Sequence, residues 1–251
     1  MMKPLIVANW KCNPTTLKEA KRLFNLVKKG IKNIKNIEVV ICPPFTYLSS
    51  IKYQVSSIKL GSQDVFYEEK GAYTGEVSPR MLKNLGCQYV ILGHSERRIH
   101  LGETDEMINK KVKATLKKGL KVILCVGDKS RKSKEDIKEV AFQLKKDLKG
   151  IKKSDFKNLI ITYEPIWAIS TMAGRVATPK DAKEGAEFIQ KTLIKSFGFK
   201  TAKKIRILYG GSITSKNARD FIYKGKMDGL LIGQASLDPK EFIKIVKSLS
   251  S

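Results

Sequence analysis

Eight short apolar runs recur along this chain with longer stretches between them, and that alternation limits the possible folds more than any other feature. The runs are Leu5–Asn9, Ile37–Cys42, Ile58–Gln63, Gln88–Gly93, Leu120–Val126, Leu159–Glu164, Ile205–Tyr209 and Gly229–Gly233. Most are continuously hydrophobic rather than alternating, which is the pattern of strands covered on both faces in a parallel sheet. The stretches between them read mostly as amphipathic helices. Thr15–Gly30 gathers Ala20, Leu23, Phe24 and Val27 on one face and stops at a glycine. Ser133–Leu148 carries Ile137, Val140, Ala141, Leu144 and Leu148 at helical spacing. Pro179–Ser196 opens on Thr178-Pro179, a capping residue followed by proline in the first turn. Pro239–Leu249 closes the chain, and the connection from Asp64 to Leu82 reads as a long loop before its helix.

Eight strand–helix repeats predict a (β/α)8 barrel. An open, doubly wound sheet is the alternative, but no G-x-G-x-x-G follows the first strand, which ends in Asn9-Trp10-Lys11. No linker or break in composition divides the 251 residues, so residues 1–251 are expected to form one domain.

Composition narrows the function classes. No run approaches the roughly 20 apolar residues that cross a bilayer, and the N-terminal run is too short for a signal peptide. A cytoplasmic protein without a membrane partner is expected. The four cysteines (Cys12, Cys42, Cys87 and Cys125) form no C-x-x-C pair, and the two histidines lie at 94 and 100. No metal site or cofactor is expected, and the cysteines read as reduced core or near-core residues. The net charge of +25 raises the question of a polyanionic partner. The lysines are spread along the expected helices, with no basic arm, zinc finger or RRM signature, so no nucleic-acid partner is expected.

In such a barrel the chemistry comes from the C-terminal ends of the strands. The first strand ends in Asn9 and Lys11, the fourth in His94-Ser95-Glu96, the sixth in Glu164, the seventh in Gly210-Gly211-Ser212, and the eighth in Gly233-Gln234. An ammonium, an imidazole, a carboxylate and two glycine-containing turns are the parts for proton transfer beside a carbonyl on a phosphorylated substrate. Pro165 stiffens the backbone after Glu164, and a loop of small residues follows, as expected of a base with a cover.

The chain resembles triosephosphate isomerase. The resemblance rests on Asn9-Trp10-Lys11, Thr74-Gly75-Glu76-Val77-Ser78, Leu92-Gly93-His94-Ser95-Glu96-Arg97-Arg98, Tyr163-Glu164-Pro165-Ile166-Trp167-Ala168-Ile169, Tyr209-Gly210-Gly211-Ser212 and Gly233-Gln234-Ala235-Ser236-Leu237, in the family's order over essentially the whole chain. It implies a TIM barrel that interconverts dihydroxyacetone phosphate and D-glyceraldehyde 3-phosphate without cofactor or metal, an isomerase of glycolysis and gluconeogenesis. Glu164 is implied as the base and His94 as the electrophile, its neutral ring favoured by the helix start that follows it. Lys11 is implied as the cation, Asn9 as its partner, and Glu96 as a neighbour that shuttles protons or holds Lys11. Ser170, Gly211, Ser212, Gly233 and Gln234 are implied at the phosphate, with Asn9 and Lys11 also lining the substrate site. The loop 64–76 is implied to enter a second subunit, bringing Thr74 near that subunit's Asn9 and Lys11 in a homodimer.

The departures from the family pattern fall at phosphate contacts. Two residues are inserted in the stretch from Ala168 to Pro179, Ser170 stands at a usual glycine, and Gln234 takes the second place of a usual Gly-Gly pair. They leave the reaction type alone and bear on lid closure. Two other readings are a different phosphosugar enzyme on the same barrel and a basic binding protein that has kept it; the full set of Lys11, His94 and Glu164 argues against both.

Overall fold

A computed structural model describes residues 2–51, 58–130, 137–168 and 176–250. Eight parallel strands close into a barrel in chain order. They are β1 (Leu5–Asn9), β2 (Glu38–Cys42), β3 (Ile58–Ser62), β4 (Tyr89–Leu92), β5 (Lys121–Val126), β6 (Leu159–Tyr163), β7 (Arg206–Gly210) and β8 (Gly229–Ile232). β1 pairs with β8 to close the ring, with Leu5 opposite Gly229 and Ala8 opposite Ile232. This is the (β/α)8 barrel, and every predicted strand is present with ends within two residues of those read from the sequence.

The helices are α1 (Leu17–Gly30), α2 (Phe45–Ile51), α3 (Pro79–Asn84), α4 (Ser95–His100), α5 (Asp105–Lys117), α6 (Lys138–Asp147), α7 (Pro179–Phe197), α8 (Phe199–Ala202), α9 (Ala218–Tyr223) and α10 (Pro239–Ser248). Caps set their starts. Thr16 accepts from the Glu19 N–H, so α1 begins two residues after the predicted Thr15. Thr178 and Asp181 form a reciprocal capping box on α7, with Pro179 in its first turn. The predicted helix start at Ser133 lies outside the described residues.

Two apolar layers follow from the period of two along each strand. Leu5 and Val7, Val40, Tyr89 and Ile91, Ile123, Ile160, Leu208 and Leu231 fill the barrel interior. Ile6 and Ala8, Val90 and Leu92, Ile161 and Leu230 face the helices, where they meet Phe24, Leu144, Ile189 and Phe242. Continuous hydrophobicity in the runs thus reports burial on both faces.

The same period carries the site. Counting outward from Leu5 and Val7 puts Asn9 on the interior face; counting from Ile160 through Thr162 does the same for Glu164. Leu208 and Leu231 lead likewise to Gly210 and Gly233. The barrel's C-terminal rim is therefore lined by alternate residues whose predecessors fill the core.

One expectation fails. Cys12 is exposed, whereas Cys42, Cys87 and Cys125 are buried. Cys12 lies past the end of β1, beyond the last residue that the ladder holds inside.

Candidate active site

Glu164 follows β6 directly, and its backbone N–H extends the β5–β6 ladder by donating to Val126 O at 2.8 Å. Glu164 is 4% exposed. Oε1 stands 3.4 Å from His94 Nε2, and Oε2 is buried without a hydrogen-bond partner. A buried carboxylate oxygen without a partner is uncommon in a folded protein. Two glycines make room for the side chain and its backbone. A Cβ on Gly210 would lie 2.9 Å from Glu164 Cγ, and one on Gly127 would lie 1.8 Å from the Glu164 carbonyl oxygen.

His94 is the N-cap of α4, and its Nδ1 accepts the Glu96 N–H at 3.3 Å. A ring nitrogen that accepts carries no proton, so the hydrogen of the neutral imidazole is on Nε2, the nitrogen facing Glu164. Glu96 Oε2 is 3.7 Å from the same Nδ1, outside hydrogen-bond length. The other oxygen of Glu96 is engaged by Lys11 Nζ at 2.5 Å, which offsets its charge. Gly93, just before His94, has φ +69, and its carbonyl accepts from Arg98 Nε at 2.9 Å.

Lys11 has φ +54, a left-handed backbone rare outside glycine. Its surroundings fix this conformation. Asn9 Oδ1 accepts the Lys11 N–H at 3.1 Å, and Gln63 Nε2 donates to the carbonyls of Lys11 and Cys42, both at 2.9 Å. Such a local cost persists only where neighbours over-determine it. A Cβ on Gly233 would lie 3.1 Å from Lys11 Cε, so glycine lets the ammonium lie across the end of β8.

These groups share one cavity of about 320 Å³, lined by Asn9, Lys11, His94 and Glu164 on one side and by Gly211, Ser212, Gly233 and Gln234 on the other. Gln234 begins a single 3-10 turn, Gln234–Leu237, fastened by Ser236 Oγ donating to Gly233 O at 2.6 Å. Ser212 Oγ donates to Ala168 O at 3.5 Å, a contact between the ends of β7 and the base segment. Ser170 and the inserted lid positions through Arg175 lie outside the described residues.

The sequence reading did not find the residues that brace Glu164. Asp128 accepts from the Tyr163 hydroxyl at 2.8 Å and from Trp167 Nε1 at 3.1 Å, and its carbonyl accepts the Ile166 N–H at 2.9 Å. It thus holds the residues on either side of Glu164. The Cys125 thiol lies beside Glu164, and burial, then the carboxylate's charge, pushes its pKa well up, which keeps it protonated. The strand-end rule, applied to the third and fifth strands, points to Gln63 and Asp128. Ser95, buried with its hydroxyl unpaired, was legible only as part of its motif. His100 is exposed and belongs to no such arrangement.

The loop 64–76 is tied down at its base. Asp64 receives Lys111 Nζ and Arg97 Nη2, each at 2.8 Å, and Glu103 receives the same two cations. Removing one cation from such a buried set leaves carboxylates uncompensated, at a cost of about 3–5 kcal/mol. Beyond the base, Phe66 packs on Tyr67 and Tyr73. Residues 70–76 at the tip, Thr74 included, are exposed. Among the described residues, no group of three or more His, Cys, Asp or Glu could hold a metal ion, and no helix is long and apolar enough to cross a membrane.

A carboxylate facing an imidazole N–H, with an ammonium and glycine-rich strand ends around one cavity, defines a barrel enzyme of proton transfer on a small anionic substrate. Known proteins agree. The Triosephosphate isomerase family model matches residues 4–249. The chain is 46% identical to the Triosephosphate isomerase of Aquifex aeolicus over 98% of this chain and 100% of that protein. It is 45% identical to that of Carboxydothermus hydrogenoformans over 98% and 99%, and 42% identical to that of Dictyoglomus thermophilum over 99% and 100%. The chain belongs to the triosephosphate isomerase family, and it is an isomerase of triose phosphates.

Proposed function

We propose that Asn9, Lys11, His94, Glu96 and Glu164 carry the interconversion of dihydroxyacetone phosphate and D-glyceraldehyde 3-phosphate, the reaction that this family contributes to glycolysis and gluconeogenesis. Glu164 removes a proton from the carbon beside the carbonyl and returns it to the neighbouring carbon. The Nε2–H of His94 hydrogen-bonds the substrate oxygens as negative charge grows on them, and a neutral donor does so without handing over its proton outright. The Lys11 ammonium adds a fixed charge that stabilises the enediolate more than the ketone or aldehyde it came from. Asn9 keeps Lys11 in its left-handed backbone, and Glu96 holds the ammonium in place. The backbone N–H groups of Gly211, Ser212, Gly233 and Gln234 receive the phosphate, with Ser170 as the further phosphate contact that the family likeness implies.

The supporting observation is the 3.4 Å separation of Glu164 Oε1 from His94 Nε2 on the wall of a cavity that also holds Lys11. A coupled assay on the purified protein with D-glyceraldehyde 3-phosphate tests the reading; absence of turnover overturns it.

The same reading takes residues 1–251 as one catalytic domain, working in the cytoplasm as a homodimer, without a nucleic-acid or membrane partner. In that dimer the loop 64–76 enters the neighbouring subunit, and Thr74 approaches its Asn9 and Lys11. The exposed tip with Ala72 and Tyr73, held up on a braced base, supports this arrangement.

A further inference from the structure

We propose that Gln143 is a positioning residue for the base, acting through Gly127. The inference rests on Glu164 being that base. Gln143 lies on the inner face of α6 and is 6% exposed. Its helix neighbours Val140 and Leu144 are apolar and buried. A primary amide at such a place is costly unless it is hydrogen-bonded. Both ends of this amide serve a single residue: Gln143 Oε1 accepts the Gly127 N–H at 2.9 Å, and Gln143 Nε2 donates to Gly127 O at 3.0 Å.

Gly127 needs that help because of where it stands. The β4–β5 register ends with Leu92 opposite Leu124 and the β5–β6 register with Val126 opposite Tyr163; beyond it Glu164 N donates to Val126 O and Ile166 N to Asp128 O, bonds that pass Gly127 by on either side. Gly127 is the first residue past the ladder, so the amide takes the place of a neighbouring strand. Gly127 is also pressed against the base's own backbone, since an added Cβ would sit 1.8 Å from Glu164 O. Two backbones at this separation cannot shift independently. Holding Gly127 therefore sets how deep Glu164 sits on the rim. A small cavity behind the carboxylate is walled by Ser95, Gly127, Gln143 and Glu164 itself. The side of Glu164 away from substrate is thus closed by the amide's own neighbourhood. Gln143 touches neither the substrate cavity nor the phosphate turns, so its influence falls on the chemical step rather than on binding.

The test compares Gln143→Met, which keeps the volume and loses both bonds, with Val140→Ala, which loosens the same helix without touching Gly127. Each is assayed at a temperature where circular dichroism shows it folded. Gln143→Met is expected to lower kcat by about tenfold or more, with KM and the competitive inhibition constant of inorganic phosphate within about twofold of the parent. Val140→Ala is expected to lower Tm and keep kcat. A folded Gln143→Met with kcat within about twofold of the parent overturns the proposal, as does an equal kcat loss in Val140→Ala.

Gln143→Glu decides the matter should Gln143→Met fail to fold. A protonated carboxyl can donate to Gly127 O as the amide does, and an ionised one cannot. The ratio of its kcat to that of the parent is expected to rise as pH falls, and a flat ratio overturns the proposal. Glu164→Gln is run alongside. If it keeps turnover, the base assignment fails; if it loses turnover while Gln143→Met keeps it, only the role of Gln143 fails.

Discussion

His94 Nε2 faces Glu164 Oε1 at 3.4 Å while the other nitrogen of the ring is occupied by the Glu96 backbone N–H. The ring is thereby committed to one tautomer, with its donor toward Glu164, and both side chains line the same cavity. A base and a donor that face one cavity can act on adjacent carbons and oxygens of one small molecule. Glu164→Gln keeps the shape of the side chain and removes the carboxylate proposed as the base. It is expected to lower kcat by about 10²–10⁴-fold, with inorganic phosphate still inhibiting the parent and binding the variant. Steady-state kinetics and a phosphate titration of the variant check this; unchanged turnover rejects Glu164 as the base.

Lys11 and Glu96 form a contact that is one-third exposed on each side, so its value lies in placing the ammonium rather than in stability. Lys11→Met is expected to lower kcat/KM by about 100-fold or more and to leave Tm nearly unchanged. Glu96→Gln retains a neutral acceptor for the ammonium and is expected to cost less. A Lys11→Met variant with near-parental kcat/KM contradicts the role given to the cation.

Gly210 is a glycine for steric reasons. Its φ is ordinary, but an added Cβ would lie 2.9 Å from Glu164 Cγ and 3.0 Å from Thr162 Cγ2. Gly210→Ala should therefore push the carboxylate off its position facing His94. A loss of about 10- to 100-fold in kcat is expected, with little change in KM. Kinetics at a temperature well below the variant's Tm separate this from unfolding, and a kcat equal to the parent's rules out the contact as a constraint on the base.

How much of this was legible in the sequence depends on which forces leave a local trace. Strands buried on both faces appear as unbroken apolar runs, so the barrel and its eight strands were readable from Leu5 to Ile232. Charged or polar residues at strand ends were equally visible, which brought out Lys11, His94 and Glu164. Contacts between groups far apart in sequence leave no such trace. Asp128 becomes meaningful only when Tyr163 and Trp167 are seen to donate to it, and Gln63 only when it is seen across Lys11. Gln143 reads as a polar residue within a helix pattern until Gly127 is found between its two amide atoms. Cys12 was placed in or near the core because it lies close to a strand, but three residues past the last ladder pair the chain has already turned outward.

Asp147 gives the fold a pH dependence of known sign. Arg98 bridges it to Asp105, with Nη2 at 2.8 Å from Asp147 and Nη1 at 2.5 Å from Asp105. Burial raises the Asp147 pKa to about 8, with Arg98 opposing the shift and Asp105 adding to it. Between the ordinary carboxylate value and about 8 the folded state binds more protons than the unfolded one, so stability falls as pH rises through that window. The slope from one group is at most about 1.4 kcal/mol per pH unit. Asp147→Asn removes the titration, so its stability should fall less than the parent's between pH 5 and pH 8. Urea midpoints of both proteins across that range check it, and parallel pH profiles contradict the assignment.

The tip of loop 64–76 gives the assembly a direct test. Thr74 is exposed in the single chain, and Tyr73 beside it is 45% exposed despite its aromatic ring. The loop's base is fixed by the Asp64, Glu103, Arg97 and Lys111 set, and Arg97 belongs to α4, the helix that His94 caps. If the tip enters a second subunit beside Asn9 and Lys11, a long cation at position 74 meets the partner's Lys11 and has no room. Thr74→Arg is expected to sediment as a folded monomer and to lose about tenfold or more in kcat, because the Lys11 backbone, already at φ +54, loses a neighbour. The Asp64–Lys111 base lies inside one chain, so circular dichroism should show the barrel intact. A Thr74→Arg variant that sediments and turns over like the parent removes the loop from the interface.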